Sequence, residues 1–552
     1  MRFLHPHRFA SFGYIDCEAA SNSGRSIIIY RSGREKKGAQ KNNEPEGQKQ
    51  DKPEAESQDI PEAEEHDQAE PMKQDKPAES KKPSVPSNID QCESFIKGVF
   101  CNSFDMVIES FETKKGKALI VYVDGLTDKD LIDRDVIRPL KSEQFDGNVG
   151  EVIYATFTET EDLSKFTQSV LGGFVALFYD ICSKAYLIEL RKYSTRSVEE
   201  PKAETVVRGP KEGFNENLRT NTSLIRRKIH NPKLVIENVT LGKQTNTNVE
   251  LVYISGIVNL EVLNKVKKQL SQIDVGMMLE SGQLEQYLDD NPFSPVSGIG
   301  LTQKPDVAAA RILEGRIAIL IDGTPHALTI PELFIENLHT AEDYYNRTVY
   351  SSILRILRLI GLFVTVMLPG LAVAIMTYNQ EMIPSVFLSS IVNAMQKTPM
   401  TVSAEILVMT VMFELLKEAG TRLPQAIGSA ISIVGSLIVG EAAVNAGIVS
   451  EPSVIIVAIA AVSSFIVPNL AEFVLVYRGF FWLMGTLMGL IGIGAAYVIM
   501  LTQLISERSY GIPILSSFSK NELKDSFIRF PLTSMRYRPS SIAKRNMKRK
   551  DM

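Results

Sequence analysis

The chain is poor in the residues that most catalytic and secreted proteins depend on. Its 552 residues include four cysteines (Cys17, Cys92, Cys101 and Cys182) and one tryptophan. No cysteine spacing suits a metal, and so sparse a set predicts reduced thiols and a reducing compartment rather than a disulfide framework. The six histidines (His5, His7, His66, His230, His326 and His339) are scattered, with no helical ligand spacing. A phosphate-binding loop, a nucleophile elbow and a kinase signature are all absent. Met1–Tyr14 has no continuous apolar run of the signal-peptide kind. We therefore expect no enzyme, no catalytic residue, no cofactor and no metal. Nucleic acid is not an expected partner either. The basic residues of the tail stand beside apolar segments, where membrane lipid is the simpler partner.

Long apolar segments fill the last third. A helix needs roughly 20 mostly apolar residues to cross ~30 Å of hydrocarbon. Phe480–Ile505 meets this without a charge, Val454–Val476 carries only Glu472, and Ile356–Tyr378 and Ile427–Ala446 are further candidates. The spans are expected at about 353–377, 383–396, 400–417, 425–447, 453–475 and 480–505, a bundle of five or six helices. The second is short and carries Ser389, Ser390, Asn393 and Gln396, so it reads as a short crossing or a re-entrant piece. Arg347, Arg355 and Arg358 around the start of the first span, and the basic tail from Lys520, lead us to expect both ends on the cytoplasmic side.

The expected fold class is α+β joined to a membrane bundle. Residues 1–87 form an acidic, Gln- and Pro-rich tail that cannot bury enough apolar surface to order itself. Two related α/β subdomains follow, at 88–200 and 235–345, joined by a connector at 201–234. The bundle occupies 346–506 and a basic cytoplasmic tail 507–552. The subdomains read as a duplication. Lys117–Leu131 and Asn248–Leu263 each run from an apolar strand through a small-residue turn into an amphipathic helix. Gly173–Leu190 and Gly315–Ile330 each read as a hairpin, turning at Asp180–Lys184 and Asp322–Pro325. The connector residues Arg208, Gly209, Pro210 and Phe214 lie in a Gly- and Arg-bearing run that lacks a Gly-Lys-Ser/Thr ending. It reads as an ordered joint rather than a phosphate cradle.

Ionisable groups within apolar helices are the functional pointers. Glu405, Glu414, Glu441 and Glu472 are expected to face protein or water, with Glu414 also able to reach headgroups from a helix end. Along Pro424–Ala446, Ser429, Ser432 and Ser436 recur at helical spacing among small residues. That stripe suits either tight helix packing or the wall of a wet path, with Val434 and Ile438 as apolar constrictions and Glu441 as a source of cation preference.

Several long stretches carry a family resemblance: Val206–Arg227, Asp290–Pro295, Lys304–Leu328, Glu342–Arg347, Phe413–Gly447 and Leu523–Leu532. In these the chain resembles the A subunit of GerA-type germinant receptors of endospore-forming bacteria, over about 88–540. It departs from the pattern at Gly511–Lys520 and Leu532–Met535. The resemblance implies a multi-pass protein of the spore inner membrane that forms a homo-oligomeric ring. It further implies a transporter-like B subunit as nutrient sensor, a C-subunit lipoprotein, and ion release on nutrient addition. A non-conducting receptor scaffold, and the paralogous channel associated with dipicolinic acid release, are the alternative expectations.

Overall fold

The computed structural model describes residues 89–549 except 144, 154, 193–200, 202–203, 423–434, 436–437, 516–521 and 544–547. The N-terminal stretch 1–87, expected to be disordered, lies outside them.

Two five-stranded antiparallel sheets dominate the first part. The first comprises β1 (Met106–Thr113), β2 (Gly116–Val123), β3 (Phe157–Thr160), β4 (Val175–Tyr179) and β5 (Ile181–Ile188), in the order β1-β2-β4-β5-β3. The second comprises β6 (Leu234–Leu241), β7 (Thr247–Ile254), β8 (Gly300–Thr302), β9 (Ile317–Ile321) and β10 (Ala327–Ile330), in the order β6-β7-β9-β10-β8. Shifting every strand number by five converts one order into the other, so the duplicated patterns fold alike. Gly125 and Gly256 stand at equivalent turns after β2 and β7, with φ of 86° and 87°, a conformation glycine adopts without a Cβ penalty.

The inner strands read as continuous apolar runs because both of their faces are covered. Leu119, Val121 and Val123 pack against α1 (Ile89–Val99) and α2 (Leu163–Leu171), while Ala118 and Ile120 face Ile132, Val136 and Leu140. In the second sheet Leu234, Ile236 and Val252 meet α3 (Leu218–Lys228). Val249 and Leu251 face α4 (Leu260–Gln272) and α5 (Ser281–Leu288). Helix α6 (Pro305–Leu313) covers the same face as α3. Cys92 in α1 is disulfide-bonded, which corrects the expectation of reduced thiols and removes the argument from cysteine to compartment.

Among the described residues a buried ion pair helps to join the two sheets. Arg226 of α3 donates Nε to Asp105 Oδ2 at 2.8 Å and Nη2 to Oδ1 at 2.7 Å, next to the start of β1. Ser103 and the carbonyl of Leu234 take further bonds from the same guanidinium.

The C-terminal part is helical: α7 (Thr348–Tyr378), α8 (Ser385–Met395), α9 (Val402–Arg422), α10 (Glu451–Ser464) and α11 (Ala471–Ser506). Among the described residues two helical stretches are long and apolar enough to cross a membrane, Thr348–Tyr378 and Pro468–Ser506. The second is not one rod. Tyr477 donates its hydroxyl to Gln503 Oε1 at 2.6 Å across 26 residues, a separation of ~39 Å in a straight helix. The chain reverses at Gly489 (φ 59°, ψ −139°), giving a hairpin with arms of about 18 and 17 residues, each ~26 Å long.

The hairpin corrects the expected segments. A break at Val467–Leu470 separates α10 from α11, so 453–475 is not one helix, and 480–505 contains the reversal. Glycines make the close contacts possible. A Cβ on Gly370 of α7 would stand 2.4 Å from the carbonyl oxygen of Phe481, and one on Gly485 would stand 2.5 Å from that of Gly370.

The hairpin also orients the bundle. Phe473, near its start, packs on Phe334 of the second lobe at 5.4 Å, and Glu507, just past its end, is bonded by Asn291. Its tip lies at the other end, where Tyr378 donates to the carbonyl of Thr486 at 2.7 Å. Ser403, at the start of α9, bonds the Thr486 hydroxyl there. The chain from Asn379 to Thr401 therefore begins and ends at the tip side, and the 11-residue α8 is ~16 Å long, short of the ~30 Å of a hydrocarbon core.

Candidate functional site

The most concentrated chemistry lies where α7 leaves the second lobe. Its first turns carry Arg355 and Arg358 on one side, three residues apart and hence neighbours on the helix. Both turn inward onto Asp343. Arg358 makes a two-pronged contact with that carboxylate, at 2.7 and 3.0 Å, while Arg355 Nε donates to Oδ2 at 3.2 Å. Burial opposes the charge on Asp343, yet Arg358 and Arg355 hold its carboxyl below the usual carboxylate range.

The C-terminal segment closes the cluster. Arg355 Nη1 reaches Asp525 Oδ1 at 3.1 Å, and the Tyr344 hydroxyl donates to Asp525 Oδ2 at 3.2 Å. Arg529 binds the carbonyls of Asn346 and Tyr344 at 2.8 and 3.1 Å. Its backbone exchanges bonds with the Ser352 hydroxyl of α7. Arg355 and Arg529 both lie 5.4 Å from the centre of the Tyr344 ring, a doubled cation–π contact. Burial pushes Asp525 up. His339 donates its Nε2–H to the Ser526 carbonyl at 2.8 Å. Burial and the nearby Arg355 bring its pKa down to about 3, so the ring is neutral.

A second file of charges runs from the sheet to the tail. Arg311 binds Glu332 Oε1 at 2.6 Å and Thr329 Oγ1 at 2.6 Å. Arg316 links Glu336, Glu314 and the carbonyl of Pro331, and Arg549 returns from the tail to Glu314. Burial raises Glu332 to about 7, and its Oε2 has no hydrogen-bond partner. A shallow cleft lined by Glu314, Glu336, His339, Tyr344 and Asp525 opens beside these groups. Among the described residues no cluster of histidine, cysteine and carboxylates suits a metal. The arrangement joins the second lobe, the first turns of α7 and the tail through buried charge.

The acids expected in the bundle have separate fates. Glu405 is fully buried and accepts from the Ser450 amide at 3.1 Å and from the hydroxyls of Ser450, Ser453 and Thr398 at 2.5, 2.6 and 2.6 Å. Ser450 is the N-cap of α10, so the helix dipole also favours the charge. Glu414 turns inward to pair with Arg478 of the hairpin rather than reaching outward. Glu472 is exposed in the first turn of α11. Glu441 is exposed, and Ile438, one turn earlier, is 58% exposed. Ser429, Ser432, Val434 and Ser436 lie outside the described residues.

The connector is laid over the second lobe. Arg208 donates its amide to Glu342 Oε1 at 3.3 Å, and Pro210 accepts from Lys304 Nζ at 2.6 Å. Gly209 (φ 139°) lies so close to the Tyr345 ring that a Cβ would stand 2.7 Å from it. Phe214 is buried in the core shared by α3 and α6, and its amide bonds the carbonyl of Gln303 at 2.8 Å. No anion cradle forms among these four residues. Sequence reasoning treated Arg355 and Arg358 only as topological charges and passed over Asp343 and Asp525. Two arginines facing inward three residues apart, just before an apolar run, were the one available signal.

Comparison with known proteins places the chain. The family described as Bacillus/Clostridium GerA spore germination protein matches residues 94–541. The uncharacterized membrane protein YfkQ of Bacillus subtilis (strain 168) is 36% identical over 86% of this chain and 93% of its own. Spore germination protein KA of the same organism is 36% identical over 84% and 87%. A solved structure, the N-terminal domain of the A subunit of the Bacillus megaterium germinant receptor GerK3, is 31% identical. It covers 46% of this chain and 98% of its own, with a TM-score of 0.36. The chain is a member of the GerA family of spore germination proteins.

Proposed function

We propose that this chain is the A subunit of a nutrient germinant receptor in endospores, acting as a homo-oligomeric, nutrient-gated cation channel that triggers germination. In this reading it is a multi-pass protein of the spore inner membrane with its lobes on the cytoplasmic side. It works with a transporter-like B subunit and a C-subunit lipoprotein, and it performs no catalysis. The bundle crosses the bilayer an even number of times, the two hairpin arms counting as two crossings and α8 as none.

The observation that carries the proposal is the shared ion cluster. Arg355 and Arg358 belong to the first apolar helix, while Asp343 belongs to the soluble lobe. A movement of the lobe therefore pulls directly on the bundle. Exposed Glu441 and Ile438 leave an acid and an apolar residue one turn apart for a lumen formed between copies.

A scaffold is the second reading. It is favoured by Glu405 and Glu414, whose charges are spent on internal contacts. Cation release from spores on nutrient addition separates the two. Glu441→Gln is expected to change ion preference and Val434→Ala to give premature leak. Unchanged release in both variants, at normal protein level, leaves the helix as packing and the scaffold as the function.

A further inference from the structure

The C-terminal segment Glu522–Leu532 is built inside out for a water-facing tail. Its polar members point into the protein: Ser526 and Arg529 are each 4% exposed, and Glu522 is buried and accepts from the hydroxyls of Ser540 and Ser541. Its apolar members point away, with Leu523, Phe527, Ile528, Phe530 and Leu532 36–56% exposed. Water would favour the opposite arrangement, because apolar surface left in water forgoes its transfer free energy. The medium this face meets is therefore apolar.

The depth of the segment identifies that medium. It is fastened to the first turns of α7, through Ser352 to the backbone of Arg529 and through Arg355 to Asp525. Arg355 stands roughly 23 residues, or ~35 Å of helix, before Tyr378 at the tip side. Hydrocarbon accounts for ~30 Å, which leaves the segment at the headgroup boundary. The outward side of α7 at the same level is also apolar and exposed, at Val349, Ile353 and Leu357.

We propose that Glu522–Leu532 is an in-plane membrane strap whose apolar face sits at the headgroup–acyl boundary and pins the tail, the second lobe and α7 to one depth in the bilayer. This rests on the membrane reading given above. Phospholipid is the partner, and the charged residues beneath the strap serve the protein rather than the lipid. The strap differs from an amphipathic surface helix in that Glu522, Asp525, Ser526 and Arg529 on its polar side bond protein groups.

Tryptophan scanning of the full chain in nanodiscs of phosphatidylglycerol and phosphatidylethanolamine tests this. Trp482 is kept in every sample and its emission subtracted. Phe527→Trp reports on the strap, and Phe363→Trp, on an exposed position of α7, reports on membrane insertion itself. The expected result is that Phe527→Trp loses emission to lipids brominated near the headgroup end of the acyl chains and resists aqueous acrylamide. Phe363→Trp is expected to lose emission to lipids brominated deeper. Quenching of Phe527→Trp by acrylamide alone, with Phe363→Trp quenched by lipid, overturns the strap and leaves the membrane reading intact. Shielding of Phe527→Trp from both quenchers overturns it too, since the face is then covered by protein such as a second copy. Absence of lipid quenching at both positions overturns the strap together with the membrane reading.

Discussion

His339 and Glu332 belong to the same buried belt, yet pH acts on them in opposite senses. His339 titrates at about 3 in the folded chain, against about 6.5 when unfolded. As pH falls through 6.5 the unfolded chain takes the proton and the folded chain does not, so acidification destabilises the fold. Glu332 titrates at about 7 when folded, because burial penalises its charged form. Its stabilising contribution is complete below the ordinary carboxylate range near 4.5 and is lost as pH rises through 7. The thermal midpoint is therefore expected to peak between about pH 4.5 and 6.5. His339→Gln should flatten the acid limb and Glu332→Gln the limb towards neutrality, whatever either does to the height of the curve. A midpoint that stays flat across pH 4–8 in the wild type rules out both assignments. Neither role was legible in the sequence. A histidine or glutamate is perturbed by what folds over it, and Ser526 and Arg355 reach His339 from other elements.

At the scale of elements, strands and turns were readable and helix reversals were not. The expected turn at Asp322–Pro325 falls in the break between β9 and β10, whereas the one at Asp180–Lys184 shares only Asp180 with the break between β4 and β5, the rest lying in β5. The apolar run 480–505 concealed a hairpin, since hydropathy counts residues but does not record direction. Its clue was the repeated glycine at Gly485, Gly489, Gly492 and Gly494. Gly489 adopts a backbone combination essentially reserved for glycine, and a Cβ there would stand 3.1 Å from Tyr378. Gly489→Ala is expected to cost about 1–3 kcal/mol and to loosen the tip. A bismaleimide crosslinker should bridge Tyr477→Cys and Gln503→Cys readily in the parent background and poorly with Gly489→Ala. Equal crosslinking in both would show that the turn tolerates a side chain and that glycine is not what sets the reversal. The same change at Gly494, where a Cβ meets nothing within 4 Å, serves as the neutral comparison.

Across the described residues, buried ion pairs join the lobes, the helices and the tail in series. Asp105–Arg226 ties the first sheet to the second, and Asp343 with Arg355 and Arg358 ties the second lobe to α7. Asp525 and Arg529 then bind the tail to both. Breaking a buried pair by removing one partner costs about 3–5 kcal/mol, whereas an exposed pair contributes about 0–1 kcal/mol. Asp343 is the member shared by two guanidiniums, so Asp343→Asn removes the most charge for the least change in shape. The expected outcome is a lower thermal midpoint, a normal amount of membrane-inserted protein and slowed nutrient-triggered cation release. Glu143→Gln, which breaks the exposed pair with Lys114, should leave all three readouts unchanged. The informative case is Asp343→Asn with a lowered midpoint and wild-type release. That result would make the cluster an adhesive between lobe and bundle, and the signal would have to travel by another contact, of which Phe334 on Phe473 is the nearest equivalent. Slowed release in the stably inserted variant would instead make the cluster the joint through which the lobe acts on the helices.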